Sequence, residues 1–310
     1  MATLEIAYNI ILPIFIVVGL AAWIDHKHAI DPHAMSRLLI YFFSPALVFR
    51  SLAFMEIPAG EAGLLIGNTL IVSITVGIFG YLLARNLRFD RHLESAFVLS
   101  MVLLNAGNLG ISLNRLAFGQ AGEERAVLCY IGSSILGNTI GVFLASRGSM
   151  STRAALLNIL KTPIPYTMAA GILVNTSNAQ LPDPIVEAVD IIADAAIPGM
   201  IAVLGIQLSR TLRASRQQKS GSPSKLKTAM VAAGMRLLVA PLIAFPLTAF
   251  LGMSGLTRDV AIVQASMPTA VLAGVLATEF GADAEHVTTT ILIGTIASIA
   301  TLSIILSIVM

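Results

Sequence analysis

The chain has 310 residues, 56% of them hydrophobic and only 12% charged, with a formal net charge of +2. Soluble domains carry about 25% charged residues, so half that density with long apolar runs excludes a soluble globular protein and reads as a polytopic membrane protein. The runs do not alternate over about ten residues, as barrel strands would, and the single cysteine, Cys129, leaves no intrachain disulfide and no thiolate metal site.

Taken in order, the apolar runs predict ten spans, at 5–24, 35–54, 62–84, 93–117, 126–146, 155–174, 185–208, 227–251, 259–279 and 287–309. Each reaches the roughly 20 residues that cross the hydrocarbon core. The first follows Glu5 with no basic segment before it, so it is expected to be an uncleaved span rather than a signal peptide. The connecting loops alternate in Lys and Arg. One set holds Lys27, then Arg85, Arg88 and Arg91, then Arg147, Arg153 and Lys161, then Arg210, Arg213, Arg216, Lys219, Lys225 and Lys227; the other holds only Arg125 and Arg258. The positive-inside rule puts the first set in the cytoplasm and both termini outside. The longest polar stretch, 209–226, is expected to be a flexible cytoplasmic linker. Its basic charge suits anionic lipid and topology rather than nucleic acid.

The chain repeats itself. Phe118-Gly119 precedes Glu123 as Phe280-Gly281 precedes Glu285; Pro13 matches Pro163; Asp31-Pro32 and Asp183-Pro184 stand at nearly the same distance before Pro45 and Pro198. This divides the chain into repeats 1–150 and 151–310. With five spans each, the second is inverted relative to the first, and inverted repeats with a broken helix in each copy are a signature of secondary transporters. The expected fold is therefore an all-α membrane protein of ten helices, with helices 4 and 9 broken.

The fourth span carries Asn105, Gly107, Asn108 and Gly110, residue types that weaken a helix. Freed N–H groups and the positive end of a half-helix suit an anion, and the amides add neutral donors and acceptors. A glycine-rich packing face with amides bonded between helices is the alternative. The ninth span carries Gln264, Ser266, Pro268 and Thr269; the proline removes a helical hydrogen bond at the repeat-matched depth, so the two breaks are expected to cross. In the seventh span Glu187, Asp190 and Asp194 share one helical face, and Arg236 enters the eighth span to a similar depth. An ionised group there costs at least about 3 kcal/mol unless paired or hydrated. Three readings stand open: an Asp194–Arg236 pair, Arg236 meeting an anionic substrate, or separate hydration of the two. His26, His28 and His33 lie with Asp25 and Asp31 in the first loop, in no compact ligand motif. Neither a Walker A, a His-Glu-x-x-His nor a Gly-x-Ser-x-Gly sequence occurs, which argues against ATP-driven transport and intramembrane proteolysis. No cofactor or metal is expected.

Ala261-Ile-Val-Gln-Ala-Ser-Met-Pro268 with Ala277-Thr-Glu-Phe280 closely resembles the ninth span of the auxin efflux carrier family. Leu39-Ile-Tyr-Phe-Phe-Ser-Pro45-Ala-Leu-Val-Phe49 is similar to its second span, and Asn105 to Ser112 to its crossover motif in the fourth. The resemblance implies a bile-acid-symporter-like fold, with helices 1, 2, 6 and 7 as a scaffold, often dimeric, and helices 3–5 and 8–10 as a mobile transport domain. It implies that Asn105 contacts substrate, that Pro268 is the crossover proline, and that the cargo is a small organic anion, such as auxin or a dicarboxylate. Two positions depart from the pattern. Ser112 stands where the family commonly has proline, and Gln264 with Pro268 stands where sodium-coupled bile-acid relatives have a Glu and a Gln. Losing that carboxylate weakens the case for sodium coupling, since hard cations favour anionic oxygen. The expected function is carriage of small organic anions across the cytoplasmic membrane by elevator-type alternating access. The alternatives are a sodium-coupled symporter and a membrane sensor that binds ligand without moving it.

Overall fold

The computed structural model describes residues 3–146, 160, 162–217 and 223–310. Among these the chain is all-helical, with an isolated antiparallel bridge between Leu104 and Thr269 and no strand. Among the described residues, seven helical stretches are long and apolar enough to cross a membrane: Thr3–His28, His33–Ala53, Ala59–Asn86, Ala106–Ala145, Asp183–Arg213, Lys225–Phe250 and Ala284–Val309. Arg147, Arg153, Lys161 and Lys219, and the predicted start of the sixth span, lie outside the described residues.

In chain order the helices are α1 (Thr3–His28), α2 (His33–Ala53), α3 (Ala59–Asn86), α4 (Arg91–Val102), α5 (106–118), α6 (120–145), α7 (Ile164–Ser177), α8 (Asp183–Asp194), α9 (Ala196–Gln217), α10 (Pro223–Phe250), α11 (Gly255–Ala265), α12 (Val271–Phe280) and α13 (Ala284–Val309). Part of the shortfall from ten long spans has a local cause. At the fourth and ninth spans, where the sequence predicts broken helices, the chain forms α4 with α5 and α11 with α12, each piece too short to cross alone. Gly119 separates α5 from α6 at φ 69° and ψ −158°, and Gly281 ends α12 at φ 76°. Both torsions lie where a Cβ is strained, which is why the two Phe-Gly echoes mark helix ends.

The packing forms two groups. In one, α9 lies along α1, while α7 and α8 lie along α2. The contact of α9 with α1 depends on Gly205: a Cβ there would meet the Val18 carbonyl oxygen at 2.3 Å. Small residues that let helix backbones approach this closely are how membrane helices gain packing energy. In the other group, α3 packs on α4 and on the α5–α6 path, and α10 packs on α13, α11 and α3. Helices α5 and α13 touch α9, and so join the groups.

The predicted flexible linker 209–226 is in part helical: α9 runs through residue 217, and α10 begins at 223. The cause is electrostatic anchoring. Arg213 and Arg210 pair with Asp25, which is fully buried at the end of α1. Lys225 pairs with Glu285 at 2.7 Å and Asp283 at 3.4 Å.

Candidate functional site: a crossing of two broken helices

Helix α4 ends at Val102, and Leu103 is extended (φ −90°, ψ 111°); Ala270, just before α12, is extended as well (φ −68°, ψ 141°). The two short extended segments pair. Asn105 N–H donates to the Pro268 carbonyl at 2.8 Å, and Ala270 N–H donates to the Leu103 carbonyl at 2.8 Å. Backbone groups left free at membrane depth are unstable unless they find partners within the protein, and this minimal ladder supplies them. Pro268 fits because it has no N–H to satisfy while its carbonyl accepts.

Other groups of the breaks find partners as well. Thr269 Oγ1 donates to the Ser100 carbonyl at 2.7 Å, and Ser133 Oγ donates to the Leu104 carbonyl at 3.3 Å. Arg236, fully buried on α10, donates to the carbonyls of Met267 (3.1 Å), Met101 (3.3 Å) and Ala265 (2.9 Å). After the break, α5 opens on a wide turn in which Gly110 N–H donates to the Asn105 carbonyl at 3.0 Å. The first N–H groups of α5 and α12 therefore start at the crossing, where a helix carries its positive end.

The six residues predicted as substrate-binding come together here. Asn105 is buried, and its Nδ2 finds no hydrogen-bond partner among the described residues. Gln264 is fully buried on α11; its Nε2 lies 3.4 Å from the carbonyls of Ala106 and Ala126, and its Oε1 has no partner among the described residues. Buried amide atoms left unpaired cost free energy, so each of these two amides carries an unmet hydrogen-bonding group beside the crossing. Gly107 lies where a Cβ would meet the Tyr130 ring at 3.1 Å, and Asn108 is half-buried one turn into α5, its carbonyl accepting from Ser112 Oγ at 3.0 Å. Pro268 and Thr269 contribute the ladder and a bond to α4, so their polar atoms serve structure first.

The Asp194–Arg236 pair is absent. Asp194 binds Arg50 at 2.6 Å, with Asp190 at 3.7 Å from the same guanidinium, while Arg236 is occupied by three carbonyls. The physical reason is proximity: α8 packs on α2, which carries Arg50, whereas α10 packs on α4 and α11, which carry the Met101 and Ala265 carbonyls, with Met267 just beyond α11. The Arg236 guanidinium is buried, and each of its three nitrogens donates to a backbone carbonyl.

Sequence reasoning missed the ionic network around Glu123. This carboxylate, 2% exposed, lies 2.9 Å from Arg50 and 3.0 Å from Arg115. It ties α2 to the start of α6, and through Arg50 to α8. An arginine inside an apolar span is itself a signal of a specific partner, and Arg50 in α2 carried that signal. Among the described residues no group of three or more His, Cys, Asp or Glu is placed to hold a metal. An apolar groove of about 320 Å³ between α1 and α13, lined by Leu4, Tyr8, Phe15 and Ile299 among others, lies apart from the crossing.

A family model described as membrane transport protein matches residues 6–151 and 146–306. An uncharacterized transporter of Methanothermobacter thermautotrophicus is 28% identical over 276 residues, covering 88% of this chain and 87% of that protein. An uncharacterized transporter of Methanocaldococcus jannaschii is 25% identical over 287 residues, covering 86% of each.

Proposed function

Because the chain belongs to the auxin efflux carrier family of membrane transport proteins, and so is a transport protein rather than an enzyme, we propose that it is a secondary carrier of small organic anions. The observation that carries this reading is the crossing. Two half-helices begin there with their positive ends, beside the unpaired Asn105 Nδ2 donor, and such a place suits a carboxylate. Asn108 and Gly107 on α5 and the backbone around Pro268 complete the proposed site, with Gln264 and Thr269 supporting it.

On this reading the chain folds as two inverted five-helix repeats, 1–150 and 151–310. Helices α1, α2, α7, α8 and α9 form the scaffold, and the rest form a mobile domain that slides against it in an elevator motion. The observed packing groups support that division. The scaffold would face a second copy in a homodimer, and the basic loops would lie in the cytoplasm of a cell membrane with both ends of the sequence outside.

The test is direct. Purified protein is screened against carboxylates by thermal shift, since a ligand stabilises the state it binds in a concentration-dependent way. The best ligand is then followed as labelled flux into proteoliposomes. Asn105→Ala is expected to weaken both the shift and the flux. Saturable binding without flux would overturn the carrier reading in favour of a sensor, and loss of flux on removing sodium would favour sodium coupling.

A further inference from the structure

We infer that Arg236 is the positioning residue of the crossing, a single side chain that caps the C-terminal ends of both broken helices at once. The inference rests on the proposed site, because it concerns how that site is held. Of the three carbonyls it binds, Met101 lies in the last turn of α4, Ala265 is the last residue of α11, and Met267 lies in the break itself. These carbonyls come from halves of the chain more than 150 residues apart in sequence. One planar guanidinium, with donors in a rigid fork, bridges them.

The charges add up in a consistent way. A helix C-terminus carries roughly −0.5 of an elementary charge and an N-terminus roughly +0.5. The ends of α4 and α11 together present about −1, which the guanidinium balances. No carboxylate lies within ion-pair distance of Arg236 among the described residues. The starts of α5 and α12 are then left with about +1 between them, a match for one carboxylate group. Without Arg236 the negative ends would stand beside the anion and oppose it. The residue thus acts through the backbone, with no contact to cargo, and its location at full burial in the membrane is explained by what it binds rather than by a counter-ion.

The test uses amide hydrogen exchange on the full chain in lipid nanodiscs, comparing wild type, Arg236→Gln and Arg236→Lys. If one side chain holds both breaks, Arg236→Gln raises exchange about tenfold or more in segments 102–107 and 266–273 together, tenfold being the equivalent of about 1.4 kcal/mol. Segments within α3 and α9 stay within about twofold of wild type, a difference too small to reflect a lost charge-assisted bond. Arg236→Lys keeps the charge but not the fork, so it falls between wild type and Arg236→Gln at both segments. Loosening confined to one segment, or a lysine variant no better than glutamine, overturns the inference. If Arg236→Gln does not fold, Arg236→Lys decides alone: both segments must loosen relative to α3, and wild-type exchange at either refutes the shared cap. Flux of labelled malonate and indole-3-acetate by wild type is measured in parallel. Absence of both fluxes counts against the carrier reading and leaves the exchange result, which needs no ligand, to stand or fall separately.

Discussion

Replacing Glu123 with glutamine keeps the shape of the side chain and removes one negative charge from between two arginines. Two charges 3 Å apart interact by roughly 5 kcal/mol at an effective dielectric of about 20. Much of that is offset, because the carboxylate is 2% exposed and its desolvation is relieved by the substitution. Arg115, 41% exposed, is hydrated once freed, and Arg50 retains Asp194 at 2.6 Å. The net loss is therefore expected to be about 1–3 kcal/mol, above an exposed pair and below a fully buried one. Asp194→Asn, at a carboxylate 71% exposed, should cost less than about 1 kcal/mol. The assay is a denaturant titration in mixed micelles followed by circular dichroism, run as a double-mutant cycle with Arg50→Gln. A coupling of about 1–2 kcal/mol is expected for groups in direct contact. Additivity within about 0.5 kcal/mol would refute the claim that this pair holds α2 to α6. Under the proposed sliding movement, Glu123 lies on the mobile side and Arg50 on the scaffold, so the same variant should also change the flux rate.

Gly110→Ala tests how closely α5 approaches α11. A Cβ would lie 2.4 Å from Gln264 Oε1 and 2.9 Å from its Cδ, and Gln264 is fully buried with little room to swing. Overpacking of this kind costs about 1–3 kcal/mol; truncating Gln264 in the same chain should restore part of it, and unchanged stability in the single variant would contradict the contact. Asp90 caps α4, its carboxylate accepting from the N–H groups of His92 at 2.9 Å and Leu93 at 3.1 Å. The Leu93 bond in the first place, with the His92 bond, holds the carboxyl below its ordinary value of 3.8. Asp90→Ala should thus cost about 1 kcal/mol at neutral pH. A folded-state pKa below the unfolded one contributes stability that is complete above the unfolded value and fades as pH falls through the folded one. The difference between wild type and variant, read by unfolding at several pH values, should therefore shrink in acid below about 4; a difference unchanged there would count against the cap.

Much of the crossing was legible in the order of residues. Pro268 removes a helical hydrogen bond at the position that the repeat matches to the glycines and Asn105 of the fourth span, so both breaks stand out; proline alone does not mark one, since Pro241 and Pro246 lie inside α10. Gly119 and Gly281 were marked by their echo, and the structure gives the reason in their positive φ angles. The partners were not legible. The ladder between Leu103–Asn105 and Pro268–Ala270 joins backbone groups, which every residue carries alike. Arg236 binds carbonyls for the same reason, so no side-chain pattern pointed to them; the only charged candidates in view were the carboxylates of α8. The helical run of α9 through residue 217 was hidden because a polar, basic sequence reads as a linker until Asp25 is found beneath it.

The amino-acid sequence by itself determined that this protein lives in a membrane, where its helices must break and which family it belongs with, because hydropathy, proline and glycine act within a few residues. Only the tertiary structure decided what each charge answers to. Arg50 turned to Glu123 and Asp194, and Arg236 to the ends of two helices, because an ionised group in a low-dielectric interior takes the nearest compensating dipole or charge, and nearness there is set by packing.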